Sequence, residues 1–355
     1  MPGRDARSHA ASQPALLTPS DPRQRPVKAV YLSYYGVGDR TIRGRVLEML
    51  DHTELNAVVI DVKGDRGFIP YESDVPLARE AGAMGPVRVR ELDDVLARLK
   101  GKGIYTIARI VVFKDNVLAR HRRHWAITDT RTGALWLDAE RLAWIDPFEE
   151  EAWAYAIAVA AEAARKGFDE IQFDYLRFPT EGKLSAARYS KPNTQDNRLR
   201  AITAFLTHAR ASLSPIGAFL AVDLFGYIAF NRDDTGVGQR LEELAPLVDF
   251  LCPMAYPSAY HLGIPGHRNP VAHPDAVVFE TIRRARERSA QTHARVRPWI
   301  QDFRDYAFDR RSFGVPEVRA QMTAALDAGA MGWMLWNPQN RYTVDALEPK
   351  PASMP

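Results

Sequence analysis

The sequence predicts an α/β fold made of a single (β/α)8 barrel, in which eight parallel strands alternate with helices. Short runs rich in Val, Ile, Tyr and Phe recur along the chain, and a segment with helical periodicity follows each of them. Such alternation predicts a parallel sheet covered by helices, and eight repeats are enough to close a barrel. A doubly wound open sheet is the alternative, but no glycine-rich dinucleotide or phosphate loop follows a predicted strand.

The predicted strands, helices and loops can be placed along the chain. One helix has a clear beginning and end, because an acid and a proline stand together at Asp146-Pro147 and Gly167 follows Lys166. Long segments after strands two and three are predicted as extended loops, and residues 125–136 as a hairpin that turns at Arg131-Thr132-Gly133. The predicted strands are residues 28–35, 57–63, 105–113, 170–178, 219–227, 249–256, 296–303 and 332–337, with further helices from about residues 39 and 89, around 199–206, and near 275–289 and 316–328.

The domain organisation predicted from composition is simple. Residues 1–26 are rich in Pro, Ser, Ala and Arg and form a predicted disordered arm, residues 27–345 form the barrel, and residues 346–355 form a C-terminal tail. No stretch resembles a secretion signal, and none supplies the roughly 18 apolar residues that a membrane helix needs. The sequence as written therefore predicts a cytoplasmic protein without a membrane span.

Composition disfavours several classes of function. The formal net charge is only +3 and arginines alternate with acids, so nucleic acid is not a predicted partner. The single cysteine, Cys252, excludes an intrachain disulfide and a cysteine zinc cluster, and its apolar neighbours predict that it is buried. The absence of an HExxH motif disfavours a zinc site, and the absence of a GxSxG motif disfavours a serine hydrolase. We predict neither a metal nor an organic cofactor. The oligomeric state is left open.

Charged residues fall on one side of four consecutive strands. In a barrel alternate residues of each strand point inward, and catalytic groups lie at the C-terminal strand ends. When the apolar positions are assigned to the helix-facing side, the polar positions between them point into the barrel near one end. These predicted inward residues are Asp61, Lys63, Arg109, Gln172, Asp174 and Asp223.

Aromatic residues and amides gather at the same strand ends. A cleft with carboxylates, amides and rings suits a sugar, whose C–H faces stack on aromatic rings while its hydroxyl groups form hydrogen bonds. We expect Tyr256 and Trp336 to form the sugar platform and the side chains of Gln301 and Asn337 to bind hydroxyl groups. The sequence therefore predicts a carbohydrate substrate.

Five motifs together resemble a known family. The runs FDEIQFDYLRFP, IDVKGDRG, WIDPFEEEAW, RPWIQDF and LWNP are similar to those of the bacterial putative glycoside hydrolase family, a group of TIM-barrel domains of unknown function. The similarity extends over roughly residues 27 to 345. It implies a (β/α)8 barrel and the hydrolysis or transfer of carbohydrate. It also implies an exported or envelope-associated protein, which the N-terminus does not indicate.

On this basis the sequence predicts a glycoside hydrolase that uses two carboxylates. Asp174 is the candidate nucleophile, or the base of an inverting enzyme, because Arg109 or Arg177 would keep it ionised. Asp223 is the candidate general acid because its apolar neighbours would raise its pKa, and Asp302 is held in reserve for that role. Asp61 and Lys63 would grip the sugar ring.

Other interpretations of the same residues stay open. Asp61 with Lys63, or Asp174 with Arg109, could be structural ion pairs at the barrel mouth. The domain could be an inactive glycan-binding barrel, or a barrel enzyme of another kind such as a lyase or a phosphosugar enzyme. A phosphosugar enzyme would need a glycine-rich site after strands seven and eight, where the sequence reads DFRDYAFDRR and WNPQNRY.

Overall fold

A curled parallel sheet lies at the centre of the molecule. The computed structural model describes residues 21–350, and the strands of its main sheet follow the order β10-β11-β1-β2-β3-β5-β7-β8-β9, with β4 and β6 paired separately. Numbered along the chain, they are β1 (Val27–Leu32), β2 (Ala57–Lys63), β3 (Tyr105–Val111), β4 (Thr128–Asp129), β5 (Glu170–Asp174), β6 (Ala187–Arg188), β7 (Phe219–Leu224), β8 (Phe250–Pro253), β9 (Arg295–Val296), β10 (Trp299–Gln301) and β11 (Gly332–Trp336).

The two ends of this sheet are consecutive in the chain. Only Arg297 and Pro298 separate β9, which pairs with β8, from β10, which pairs with β11. Backbone hydrogen bonds continue across the interruption, from Arg297 N to Leu251 O and from Met334 N to Pro298 O. Since proline has no N–H to donate, the predicted seventh strand is divided into two short ones. The main sheet thus has nine described strands where the sequence predicts eight, and it curls round on itself.

Helices cover the outside of the sheet. They are α1 (Tyr34–Gly38), α2 (Arg40–His52), α3 (Pro76–Glu80), α4 (Leu92–Gly101), α5 (Asn116–His121), α6 (Glu150–Arg165), α7 (Gln195–Leu213), α8 (Leu241–Leu244), α9 (Pro274–Ser289) and α10 (Val315–Asp327). The helix predicted from Asp146 begins later, at Glu150, because Asp146 lies in a preceding turn in which its carboxylate accepts the N–H of Phe148. The same carboxylate accepts the N–H of Ser190 from the segment after β6. Its predicted end is confirmed, since Gly167 follows it with a φ of 107°.

Side chains alternate between two layers along the central strands. The outer cluster between sheet and helices contains Val58, Ile60, Ala108, Ile110, Ile171, Phe173, Leu220 and Val222. The inner cluster contains Val59, Ile107, Ala221, Cys252, Trp299 and Met334. The predicted facing of β3, β5 and β7 is therefore confirmed, as is that of β2 as far as Asp61, and Cys252 is buried as expected.

Two insertions extend the rim at the C-terminal strand ends. The predicted hairpin is confirmed by hydrogen bonds from Gly133 N to Asp129 O and from Asp129 N to Ala134 O, both 2.8 Å long. Its strand β4 pairs with β6, which lies in the segment after β5. The connection after β3 is thus fixed to the connection after β5, and both stand beside the barrel mouth.

The ends of the described chain differ from the predicted division in one place. The predicted arm lies mostly outside the described residues. Part of the predicted tail packs on the barrel, where Lys350 N donates to His52 O and Pro349 forms a bridge with Thr53. Within residues 21–350, none of the helices combines the length and apolar character needed to cross a membrane.

We expect Phe173→Ala to lower the free energy of unfolding by about 3–5 kcal/mol. The Phe173 ring is fully buried and meets Phe205 of α7 edge to face, with ring centroids 5.0 Å apart, so its removal leaves a cavity between sheet and helix. Urea unfolding would measure the loss. Leu262→Ala, at a strongly exposed residue, is the control and should change stability by less than about 0.5 kcal/mol. Equal effects of the two substitutions would contradict this packing.

Candidate active site

Arg109 of β3 lies at the centre of the charged cluster in the barrel mouth. Its guanidinium donates to three carboxylates: Nη1 to Asp61 Oδ1 at 2.7 Å, Nη2 to Asp65 Oδ1 at 3.1 Å, and Nε and Nη2 to Asp174 Oδ2 at 2.9 and 2.6 Å. Burial opposes the charge of Arg109, but the carboxylates of Asp174, Asp61 and Asp65 raise its pKa well above the ordinary value. One buried cation therefore holds three acids from different strands and loops.

Asp174 is fixed at the end of β5. Its Oδ1 accepts the N–H of Tyr175 at 2.6 Å, while Oδ2 accepts two hydrogen bonds from Arg109. Tyr175 has a φ of 50°, so the strand ends there and the chain turns away. The prediction that Arg109 partners Asp174 is confirmed.

Asp223 of β7 has a different environment. The pairing of Phe173 with Val222 places Asp174 and Asp223 at the same level on neighbouring strands. Trp299 Nε1 donates to Asp223 Oδ1 at 2.7 Å, and Oδ2 is buried without a hydrogen-bond partner among residues 21–350. Burial, and then the charge of Asp174, raise the pKa of Asp223 well above its ordinary value, against the opposing effects of Arg109 and Trp299. The surroundings of Asp223 therefore act in the direction that the sequence predicts.

Asp61 connects the cluster to β1. Its Oδ2 accepts hydrogen bonds from the Tyr31 hydroxyl and from the Tyr34 backbone N–H, and its Oδ1 accepts from Arg109. Burial raises the pKa of Asp61, while the charge of Arg109 lowers it. Asp61 points into the mouth, as predicted.

Aromatic rings enclose this cluster. Trp336 stacks on Tyr31 with centroids 4.0 Å apart and planes 19° apart, and it meets Trp299 edge to face at 5.3 Å. The Arg109 guanidinium lies 5.0 Å from the centroid of a Trp336 ring. Tyr256 is half-buried beside Trp336, at 6.4 Å. The structure therefore brings both predicted platform residues to the carboxylates.

A pocket of about 200 Å³ opens beside the cluster. Asp174 and Asp223 are only 5 % and 2 % exposed, so the pocket wall is formed mainly by residues of β1, β2 and the loops around them. The insertion after β3 also contributes. The lining residues are Tyr31, Ser33, Tyr34, Tyr35, Asp61, Gly64, Asp65, Arg66, Phe68, Glu140, Leu142, Trp336 and Pro338.

The prediction that Lys63 points into the mouth is wrong. The pairing of β2 with β3 shifts register between Asp61 and Lys63, which turns Lys63 to the helix-facing side. There its ammonium group contacts Asp115 Oδ2 at 2.7 Å and donates to Val111 O. Lys63 is fully buried, and its ammonium lies 5.7 Å from the ring centroid of Tyr155 on α6.

Three residues predicted near the sugar are engaged in holding loops instead. Gln301 is fully buried. Its side-chain oxygen accepts the N–H of Ser258, and its side-chain nitrogen donates to Ser258 Oγ and Phe303 O. Both oxygens of Asp302 accept hydrogen bonds from Thr343, and its place as the reserve acid stays a prediction. Asn337 donates to Asp302 O and accepts from Gln339 N, so its amide is engaged within the loops, and its role as a sugar ligand stays a prediction.

Gln172 and Arg177 lie near the site without joining the cluster. Gln172 points inward as predicted, but it is fully buried one level below Asp174, where its amide lies 3.5 Å from Met334 Sδ. Arg177 contacts Thr180 Oγ1 and Phe178 O, and its guanidinium lies over the rings of Tyr175 and Trp144. The prediction that Arg177 could partner Asp174 is corrected, because Arg109 alone takes that position among the described residues.

Sequence reasoning missed four residues of the site. Tyr31 and Trp299 donate to Asp61 and Asp223, Asp65 shares Arg109, and Glu140 lines the pocket from the insertion. Tyr31 carried a usable signal, since it alternates with the outward Val30 and Leu32 of β1. Glu140 carried none, because its position depends on how the insertion folds. No group of three or more His, Cys, Asp and Glu side chains within residues 21–350 is arranged to hold a metal ion.

Comparison with known proteins identifies the family. Residues 29–342 match the family model described as "putative glycosyl hydrolase domain", and the chain belongs to that family. No curated protein matches significantly. The family assignment agrees with the resemblance that the sequence motifs indicate.

Solved structures agree in fold. A hypothetical protein from Ruminiclostridium thermocellum is 35 % identical over 55 % of this chain and 96 % of its own, with a TM-score of 0.49. The PgaB (BpsB) glycoside hydrolase domain from Bordetella bronchiseptica is 17 % identical, with 91 % and 99 % covered and a TM-score of 0.62. A chitinase from Chromobacterium violaceum is 14 % identical, with 90 % and 96 % covered and a TM-score of 0.51. The latter two structures show that the fold is of the TIM-barrel type found in glycoside hydrolases, and the family supports a glycosidase-like function.

We expect Arg109→Met to destabilise the protein by about 3–5 kcal/mol at neutral pH, because three acids then lose their buried cation. The loss should shrink at about pH 4 and below, where protonation removes the repulsion between the carboxylates. Urea unfolding at both pH values would measure this. Arg319→Met is the matched control, since it breaks an exposed pair with Glu348 and should cost less than about 1 kcal/mol. A loss that does not depend on pH would contradict the account.

Proposed function

We propose that the protein is a glycoside hydrolase in which Asp174 and Asp223 act across one glycosidic bond of an oligo- or polysaccharide. In most such enzymes one carboxylic acid protonates the leaving oxygen, while a carboxylate attacks the sugar or activates water. The roles require two neighbouring carboxyl groups whose pKa values differ. The family and the fold support this class of reaction.

The observation that carries the proposal is the contrast between the hydrogen bonds of the two acids. Asp174 accepts three hydrogen bonds, two from the Arg109 guanidinium and one from the backbone N–H of Tyr175. Asp223 has a single donor, Trp299, and one buried oxygen without a partner among the described residues. A protonated carboxyl group suits that site. Asp174 is therefore the proposed nucleophile or base, and Asp223 the proposed general acid.

The neighbouring residues have supporting roles in this proposal. Asp61 lines the pocket and would accept hydrogen bonds from sugar hydroxyl groups, and Trp336, which also lines the pocket, would contact the sugar ring. Arg109 would fix Asp174 and Asp61 relative to each other without touching the substrate. It is a positioning residue.

We expect Asp174→Asn and Asp223→Asn each to lower kcat by about 100- to 10,000-fold on natural glycosides. Because a general acid matters less when the leaving group is a good one, Asp223→Asn should retain far more activity on nitrophenyl glycosides than Asp174→Asn. A panel of polysaccharides and aryl glycosides would test both variants. Asp327→Asn, on the exposed surface of α10, is the control and should match the wild type.

Full activity of Asp174→Asn, or the absence of cleavage of every substrate by the wild type, would sink the enzyme assignment. If the wild type bound a glycan without cleaving it, the inactive glycan-binding barrel would be the better description.

The raised pKa of Asp223 predicts the pH dependence. A general acid must be protonated, so kcat/KM should fall as pH rises through the folded pKa of Asp223, which lies above the ordinary carboxyl value of about 3.9. The high-pH decline should therefore lie well above pH 4. It should persist in Asp327→Asn and disappear from the residual activity of Asp223→Asn. A decline that remains in Asp223→Asn would assign the acid to another residue.

A further inference from the structure

We propose that the site binds a carbohydrate chain longer than its pocket, and that Phe303 and Tyr306 form an aromatic shelf for the additional sugar units. The shelf residues lie in the connection that follows β10, outside the pocket and outside the residues assigned above. This inference rests on the proposed function and specifies the length of its substrate.

The pocket is too small for a chain. Its volume of about 200 Å³ is below the roughly 300–1,000 Å³ of pockets that enclose most of a drug-sized ligand. We expect it to enclose about one sugar ring. Any further sugar units must therefore lie outside the pocket, on the rim of the barrel mouth.

A continuous series of rings leads from the carboxylates to the surface. Trp336 lies 6.4 Å from Tyr256, Tyr256 lies 5.6 Å from Phe303, and Phe303 lies 6.2 Å from Tyr306, all between ring centroids. Tyr256 follows β8, which pairs with β7, the strand that carries Asp223, and its ring lies beside Trp336. The series therefore begins at the reacting groups.

The outer end of the series is an exposed apolar surface. Tyr306 is 53 % exposed, and its ring stacks on that of Phe303 with the planes parallel within 11°, so Phe303 supports a ring that is about half open to solvent. Flat rings suit the C–H faces of sugars, and continuity with the candidate active site favours a sugar over another apolar partner.

The shelf loop is firmly built. The Asp305 carboxylate accepts from Ser258 Oγ at 2.7 Å and from four backbone N–H groups between residues 307 and 310. Although burial alone would raise the pKa of Asp305, the bond from Ser258 and those from the backbone lower it to about 2. Gln301 also binds Ser258, and Ser258 lies two residues after Tyr256 in the chain. Gln301 and Asp305 thus both bind Ser258 and hold the Tyr256 and Tyr306 segments together.

Binding to soluble polysaccharides tests the shelf directly. Affinity electrophoresis in gels containing hydroxyethylcellulose, xylan, galactomannan, amylose or glycol chitin would compare wild type, Tyr306→Ala, Tyr306→Phe and Phe279→Ala. Phe279 is the matched control, a 36 % exposed ring on the outer helix α9. We expect at least one polysaccharide to retard the wild type. Tyr306→Ala should bind it about threefold to tenfold more weakly, while Tyr306→Phe keeps the ring and should bind normally.

Cleavage of a labelled series from disaccharide to hexasaccharide gives the second test. The wild-type kcat/KM should rise with chain length, and Tyr306→Ala should lose that rise through a higher KM on long chains, with the disaccharide unaffected.

The outcomes separate this inference from the proposed function. Retention without cleavage would support the shelf and contradict the hydrolase. Cleavage whose rate is independent of chain length, or equal binding by Tyr306→Ala and wild type, would overturn the shelf and leave the hydrolase standing. Failure of all five polysaccharides to retard the wild type would also overturn the shelf.

Discussion

The candidate site depends on the contacts of one buried guanidinium. Arg109 joins Asp61 of β2, Asp174 of β5 and Asp65 of the loop after β2, all from a position where it is almost fully buried. Three carboxylates in so small a volume would repel one another strongly without a cation among them. An arginine suits this position better than a lysine, because its planar group donates in several fixed directions at once.

The same arrangement explains why Asp223 differs from its neighbour. Asp174 and Asp223 lie at one level of adjacent strands, but Arg109 donates only to the former. Asp223 receives the indole N–H of Trp299, whose ring packs against Trp336. The sheet thus places two like residues side by side and gives them opposite electrostatic environments. This pairing of environments is what acid-assisted cleavage of a glycosidic bond requires.

The sequence predicts the parts of this structure that depend on local periodicity. The inward positions of Asp61, Arg109, Asp174 and Asp223 follow from the two-residue period of a strand, and the structure confirms them. The predicted inward orientation of Lys63 is wrong because a register shift between Asp61 and Lys63 breaks the alternation of side chains along β2.

The side-chain partners of residues at the strand ends are harder to predict, because they depend on contacts between loops that are distant in the sequence. The sequence predicts Gln301 and Asn337 as sugar ligands and Asp302 as a reserve acid, yet their polar groups bind Ser258, Gln339 and Thr343, respectively. Glu140 lines the pocket from an irregular insertion, and no periodic pattern in the sequence predicts how that insertion folds. The orientation of the exposed Tyr306 ring depends on its stacking against Phe303 and on the loop that the Asp305 carboxylate holds, and neither contact follows from a sequence pattern.

The most direct test of this account is the protonation state of Asp223 in the folded protein. Infrared difference spectroscopy of wild type against Asp223→Asn would detect the C=O stretch of a protonated carboxylic acid across a pH series. We expect a band from wild type at pH values well above 4, absent from Asp223→Asn and present in Asp174→Asn. Loss of that band at the pH of an ordinary carboxyl group would contradict the division of roles between the two acids.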